Sequence, residues 1–137
     1  MVATEKQFNY FGKTEILITG INPTDYPAPN GFESQHYDLW SIPEFPRFGK
    51  ALLFVNAPTD VTNTIEANLE FSIQDKDSAG NSLWVTIASM TVQITTLSSG
   101  QAIAFSGATY PPLGRFVRIR IPTVGTGNVL DVSALIT

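Results

Sequence analysis

The chain has no cysteine, one histidine (His36) and little charge. Without cysteine there are no disulfides, no thiol nucleophile and no thiolate metal site, so the residues leave the redox compartment open. A lone histidine excludes a histidine cluster and an HExxH zinc motif. A Ser-His-Asp triad would have to be built on His36, which has no nucleophile-elbow motif near it and reads as a structural or exposed side chain. Charged residues make up 15% of the 137 positions while apolar ones reach 43%. The charged share is well under the roughly 25% of an average soluble domain, and the apolar share excludes a disordered acidic tail. With a net charge of -4, duplex DNA and anionic bilayers are poor main partners, because both recruit clustered Lys and Arg. No run approaches the ~18 apolar residues of a membrane span. Residues 1–11 place Glu5 beside Lys6 and contain no apolar core, so no Sec-type signal is expected and the product is expected to be made in the cytoplasm. Phosphate-binding loops are absent from the sequence, and Gly125-Thr126-Gly127 is followed by a strand pattern rather than a helix.

What the sequence does contain is a period of two. Asn68 to Gln74 alternates polar and apolar at every position, the pattern of a strand with one face on a core. Asp75 to Ser82 reads as a hairpin loop, and Leu83 to Ile87 as the returning strand. Further strands are expected at Thr14–Thr19, Lys50–Val55, Thr91–Thr95, Gln101–Phe105, Arg115–Ile121 (stopped by Pro122) and Asn128–Ile136. Tyr110 to Gly114 reads as a rigid turn, and Thr59 to Asn68 is too rich in β-branched residues for a helix. Short strands punctuated by Gly, Pro and Asn predict one all-β domain over residues 1–137: an antiparallel jelly-roll-like or Greek-key β-sandwich of about eight strands, with a closed barrel as the alternative.

Residues 21–48 do not belong to a minimal sandwich. Five of the nine prolines fall here, interleaved with Tyr26, Phe32, Tyr37, Trp40, Phe45 and Phe48. So long a connection is usually functional. One reading is an Ω-like loop folding its aromatics over one end of the sandwich. The other is a stiff arm laying these six rings on a neighbouring subunit, with Gln35–Trp40 as a short strand on another chain's sheet edge.

Chemistry-bearing patterns are few. Asp75, Asp77 and Gly80 resemble the start of a calcium loop, but Ala79 and Thr86 fall where oxygen ligands are needed, so a polar hairpin tip is expected. Glu66 and Glu70 face no second acidic wall in the pattern and read as solvated. No residue is assigned a catalytic, cofactor-binding or metal-binding role, and an enzyme is not expected. Arg115, Arg118 and Arg120 fall within six positions. Alternation puts Arg118 and Arg120 on one face with Phe116, and Arg115 on the other with Val117. Such a set is either a solvated sheet face or a group of forked donors for carboxylates on a partner protein.

From Glu66 to Ile121 the order of features resembles small virion structural proteins of tailed bacteriophages, of the head decoration or capsid cement type. The features are a strand ending in Gln74-Asp75, a hairpin with Asp77 and Gly80, then Leu83-Trp84-Val85 and later Arg115-Phe116-Val117-Arg118-Ile119-Arg120. The resemblance implies a non-enzymatic protein on the capsid surface that bridges major capsid (coat) subunits as a symmetric homo-oligomer, three-fold symmetry included. Carbohydrate-binding sandwiches of the discoidin kind also place a Trp strand before an Arg-aromatic-Val-Arg strand. A glycan-binding tail-fibre or lectin-like module therefore stays open, with Trp84 or Trp40, Tyr26 and Tyr37 as its platform, as does a tail-tube or connector subunit.

Overall fold

A computed structural model describes residues 3–10, 12–22, 24–27, 30–41, 49–57, 65–72, 74, 76–81, 83–94, 102–110, 115–123 and 129–137. Ten strands run through them: β1 (Thr4–Tyr10), β2 (Lys13–Ile21), β3 (Phe32–Glu33), β4 (Tyr37–Asp38), β5 (Gly49–Ala57), β6 (Ile65–Ser72), β7 (Val85–Ile94), β8 (Ala102–Tyr110), β9 (Phe116–Thr123) and β10 (Leu130–Ile136). A single 3₁₀ turn, Leu39–Ser41, follows β4. The first sheet has the order β1-β2-β10-β5-β8, and the second β3-β9-β6-β7 with β4 also on β9. The hairpins β1–β2 and β6–β7 stay within a sheet, and β3 steps to β4 along one edge. Every other connection crosses between sheets. This is the jelly-roll solution, a sandwich of two antiparallel sheets.

Alternation builds the core between them. Ile16 and Ile18 of β2, Ala51, Leu53 and Val55 of β5, and Leu130, Val132, Ala134 and Ile136 of β10 are buried from the first sheet. Ala67, Leu69 and Phe71 of β6 and Val117, Ile119 and Ile121 of β9 meet them from the second. Each Val, Leu, Ile or Phe among them contributes about 1.5–3 kcal/mol on burial, and each alanine less than that. The 21–48 segment closes the core: Phe32, Tyr37 and Leu39 are buried in it, and Tyr26 packs edge-on against Phe32 with centroids 5.0 Å apart. The Tyr37 hydroxyl donates to Glu5 Oε1 at 2.7 Å, tying β4 to β1. Burial first, then this bond and the Glu5 charge, raise the phenol above its ordinary pKa.

Several expectations are corrected. Thr4–Tyr10 forms an edge strand although its outward Phe8 and Tyr10 stay exposed, so no buried alternation marked it. The two strands expected at Leu83–Ile87 and Thr91–Thr95 are one, β7. Its register against β6 jumps between Thr86 opposite Glu70 and Thr91 opposite Asn68, an irregularity the sequence resembles a break at. Pro122 does not stop β9. It sits where β9's register with β6 shifts, between Glu66–Thr123 and Asn68–Arg120, and a bulge tolerates a residue without an N–H. The Gln35–Trp40 stretch yields β4, which pairs with β9 of its own chain. The expected turn at Pro111–Gly114 and the prolines Pro43 and Pro46 lie outside the described residues.

Two glycines hold special backbone. Gly20, with φ 77°, belongs to a bulge in which Thr19 and Gly20 together oppose Asp131, between the pairs Ile18–Val132 and Ile21–Leu130. The bulge shifts the phase of β2 by one residue, so that Ile21 enters the core, and the Gly20 N–H donates to Asp131 Oδ1 at 3.1 Å. Gly31, with φ 63°, leaves a Cβ no room: one would meet Ile121 O at 2.1 Å and Pro122 O at 2.6 Å. At Gly20 nothing lies within 4 Å of that position. Gly20→Ala is therefore expected to cost only the left-handed strain of about 1–2 kcal/mol. Gly31→Ala adds a backbone clash and should cost clearly more. Urea unfolding midpoints check the order, and equal losses would contradict it.

Candidate functional site

The outer face of the second sheet carries polar side chains that are not solvated. Opposite the core row of β6 stand Glu66, Asn68, Glu70 and Ser72, and the last three are buried. Their cover comes from β9, where Arg118 lies directly opposite Glu70 and Phe116 opposite Ser72. Alternation places Phe116, Arg118 and Arg120 outward, as the sequence indicated.

Arg118 organises this face. Its Nε donates to Glu70 Oε1 at 2.7 Å, its Nη1 donates to Glu33 Oε1 at 2.7 Å, and its guanidinium lies 4.5 Å from the Trp84 ring centroid. His36 Nε2 sits 3.2 Å from the same Glu33 oxygen while its ring lies tilted at 56° to Trp84, with centroids 4.7 Å apart. The side chains of Arg118 and Glu70 are 11% and 9% exposed, whereas Glu33 is 47% exposed. Burial alone would raise the Glu33 pKa, but the His36 hydrogen bond and the Arg118 charge outweigh it and hold the carboxyl below its ordinary value. That is the opposite of what a general acid needs. Glu70, expected to be solvated, is instead one wall of an ion pair.

Beside this cluster stands a second one. Arg115 Nε and Nη2 donate to Asp38 Oδ1 and Oδ2 at 3.1 and 2.9 Å, a bidentate pair. The strand begins at Phe116, so Arg115 escapes the inward register expected from alternation. Its guanidinium lies 4.9 Å from both the Trp40 and the Phe116 rings. Asp38 Oδ1 also accepts from Trp40 N at 3.0 Å, and Leu39 N donates to Arg115 O at 2.7 Å. The Arg115 bond lowers the Asp38 pKa despite a smaller opposing effect of desolvation. Trp40 is held from beneath and remains 64% exposed.

The sequence-assigned residues thus separate. Trp40, Arg115, Arg118 and Arg120 share this face. Phe32 and Tyr37 are buried in their own core and offer no ring to a partner, and Tyr26 is packed against it. Phe45 and Phe48 lie outside the described residues. The guanidinia of Arg115 and Arg118 fork onto carboxylates of the same chain. Glu33 and Asp38 gave no signal in the sequence; only the pairing of β3 and β4 with β9 brings them to the arginines. At the hairpin tip, Asp77 Oδ1 accepts from Ala79 N and Asn81 N at 2.9 and 2.8 Å, the turn chemistry expected there.

Two outcomes follow. Glu70→Ala removes the buried partner of Arg118 and leaves it only the half-exposed Glu33, so it should cost about 3 kcal/mol, whereas Glu33→Ala, on the exposed side, should cost about 0–1 kcal/mol; urea unfolding resolves the two. Glu33 and Asp38 have lowered folded pKa values. Their stabilisation is present above their unfolded values, near 4, and is lost as pH falls through the folded ones. The thermal midpoint should therefore hold from pH 7 to about 5 and drop below about 4, less so in a Glu33→Gln/Asp38→Asn variant.

No family model matches the chain, and no curated protein does. Among solved structures it is similar to a protein described as "CBM4 structure and function", with 14% identity and a TM-score of 0.42 over 95% of this chain and 73% of that one. It is also similar to the K3 cleaved adhesin domain of Lys-gingipain from Porphyromonas gingivalis w83, with 10% identity and a TM-score of 0.39 over 99% of this chain and 73% of that one. At these scores neither likeness carries an argument about what this chain binds.

Proposed function

We propose that the chain is a non-catalytic glycan-binding β-sandwich whose contact surface is the outer face of β9 with the Leu39–Ser41 turn. The observation that carries this reading is Trp40. Its indole is 64% exposed, yet it is fixed by the Arg115 guanidinium, which Asp38 clamps in turn. A flat exposed ring held rigid stacks on the C–H face of a pyranose without losing side-chain freedom on binding. Around it, the half-exposed Arg115 and Asp38 and the more open Glu33 supply fixed donors and acceptors for hydroxyl groups.

A second reading, the virion structural protein, is favoured by the other sheet. On its outer face Leu17, Leu52, Phe54 and Leu135 are only half buried, and Phe8 and Tyr10 are 42% and 46% exposed. A surface so apolar suits contact with a folded partner. In this reading the chain decorates a capsid as a homo-oligomer bound to coat subunits, or stacks as a tail-tube or connector subunit.

Trp40→Ala is expected to weaken binding to glycan-array hits by about 10–30-fold, the loss of an interface anchor. Its unfolding free energy should fall by no more than about 1 kcal/mol, since the ring is exposed. Unchanged glycan affinity in this variant counts against the first reading. For the second, light scattering should show a defined oligomer that Leu135→Asp disperses; a monomer at high micromolar concentration counts against it.

A further inference from the structure

The outer face of the first sheet holds a groove of about 240 Å³ between β2, β5 and β10, lined by Leu17, Thr19, Phe54, Asn56, Asp131 and Ser133. Its construction follows from register. Asn56 lies opposite Asp131 and Phe54 opposite Ser133 across β5 and β10, while Leu17 faces Ser133 from β2. One end is therefore aliphatic and aromatic, and the other ends on an amide beside a carboxylate. Asp131 is committed through one oxygen to the Gly20 N–H and, among the described residues, has no cationic partner. The Asn56 amide oxygen beside it is enclosed by protein. The groove thus presents apolar walls leading to one carboxylate with no cation beside it among the described residues.

We infer that this groove is a docking site for the lysine side chain of a partner polypeptide. The four-carbon stem matches the Leu17 and Phe54 walls, and the ammonium carries three donors with no acceptor. Its charge complements Asp131, and a spare N–H faces the Ser133 hydroxyl in the groove lining. An arginine fork is wider and planar, and one of its two bonds would have to share Asp131 Oδ1 with the Gly20 N–H. A neutral sugar would leave the Asp131 charge unmatched. The inference is independent of the glycan surface, which lies on the opposite sheet. Lys6, on β1 opposite Leu17, lies on this face next to the groove, whereas Lys13 is placed over the Tyr10 ring, so a Lys6→Ala background removes the nearer competing cation.

The test titrates three blocked amino acids, Nα-acetyl-N-methylamides of lysine, norleucine and arginine, into the ¹⁵N-labelled chain. Backbone shifts at Leu17, Phe54 and Ser133 are followed by NMR. Lysine should bind at least tenfold tighter than norleucine, which keeps the stem and lacks the charge, and tighter than arginine. Asp131→Asn retains an oxygen for the Gly20 N–H but removes the charge; it should bring lysine down to the norleucine level with no change in the unfolding midpoint. Equal affinity for norleucine and lysine, indifference to Asp131→Asn, or shifts elsewhere than in this groove would overturn the inference.

Discussion

Arg118 is a nearly buried cation held between Glu70 and Glu33 and under the ring of Trp84, and it sets the form of the second sheet. β3 contributes only Phe32 and Glu33 to its ladder, too few residues to fix their own register. A guanidinium anchored at Glu70 on β6 and reaching Glu33 on β3 links three strands across the sheet. It also orients His36, which shares the Glu33 oxygen. A buried pair of this kind contributes less to stability than to uniqueness, because each charge must be desolvated before it is matched. The benefit here is positional: slipping β3 by one residue would turn Glu33 inward, towards an apolar core, and leave Arg118 with one partner.

The two outer faces of the sandwich have opposite chemistry as a consequence of where the strands change phase. The Gly20 bulge lets β2 keep Ile18 and Ile21 both inside, and it leaves Asp131 at the surface as the cap of an N–H that no strand partner takes. The first sheet's outer face mixes the apolar Phe8, Leu17, Leu52, Phe54 and Leu135 with Lys6, Lys13, Glu15, Asn56 and Asp131. On the second sheet the register of β9 with β6 shifts beside Pro122, and Gly31 runs so close to Ile121 and Pro122 that no side chain fits. That approach sets residues 31–38 along β9, and with them the acidic residues that the arginines pair with.

Period-two alternation made β2, β5, β6, β9 and β10 readable, because their cores are apolar on one side and their outer faces polar or mixed. It could not reveal β1, whose hydrophobic residues point outward while Glu5, Gln7 and Asn9 lie on the inner side of the sheet. Nor could it divide the aromatics of residues 21–48 between core and surface. Phe32, Tyr37 and Trp40 look alike as sequence, and their fates differ because β3 and β4 lay the first two under β9 while the 3₁₀ turn throws the third outward. The basic strand Arg115–Arg120 was visible, but its meaning was not. Whether an arginine pairs within its chain depends on carboxylates some 50 to 85 positions away in sequence, which only the jelly-roll crossings bring near.

The same pairing bears on what the face is suited to. General acid catalysis needs a group that holds its proton near neutral pH, whereas the cations beside Glu33 and Asp38 hold both carboxyls below their ordinary pKa values. Recognition makes the reverse demand. A donor or acceptor that is already oriented loses little freedom when a ligand arrives, and a ring braced by a guanidinium loses less still. Trp40, Arg115 and Asp38 form such a braced unit on a turn whose first N–H groups are already satisfied. The ion pairs on this face thus fix the orientation of Trp40, Arg115 and Asp38 before any ligand arrives.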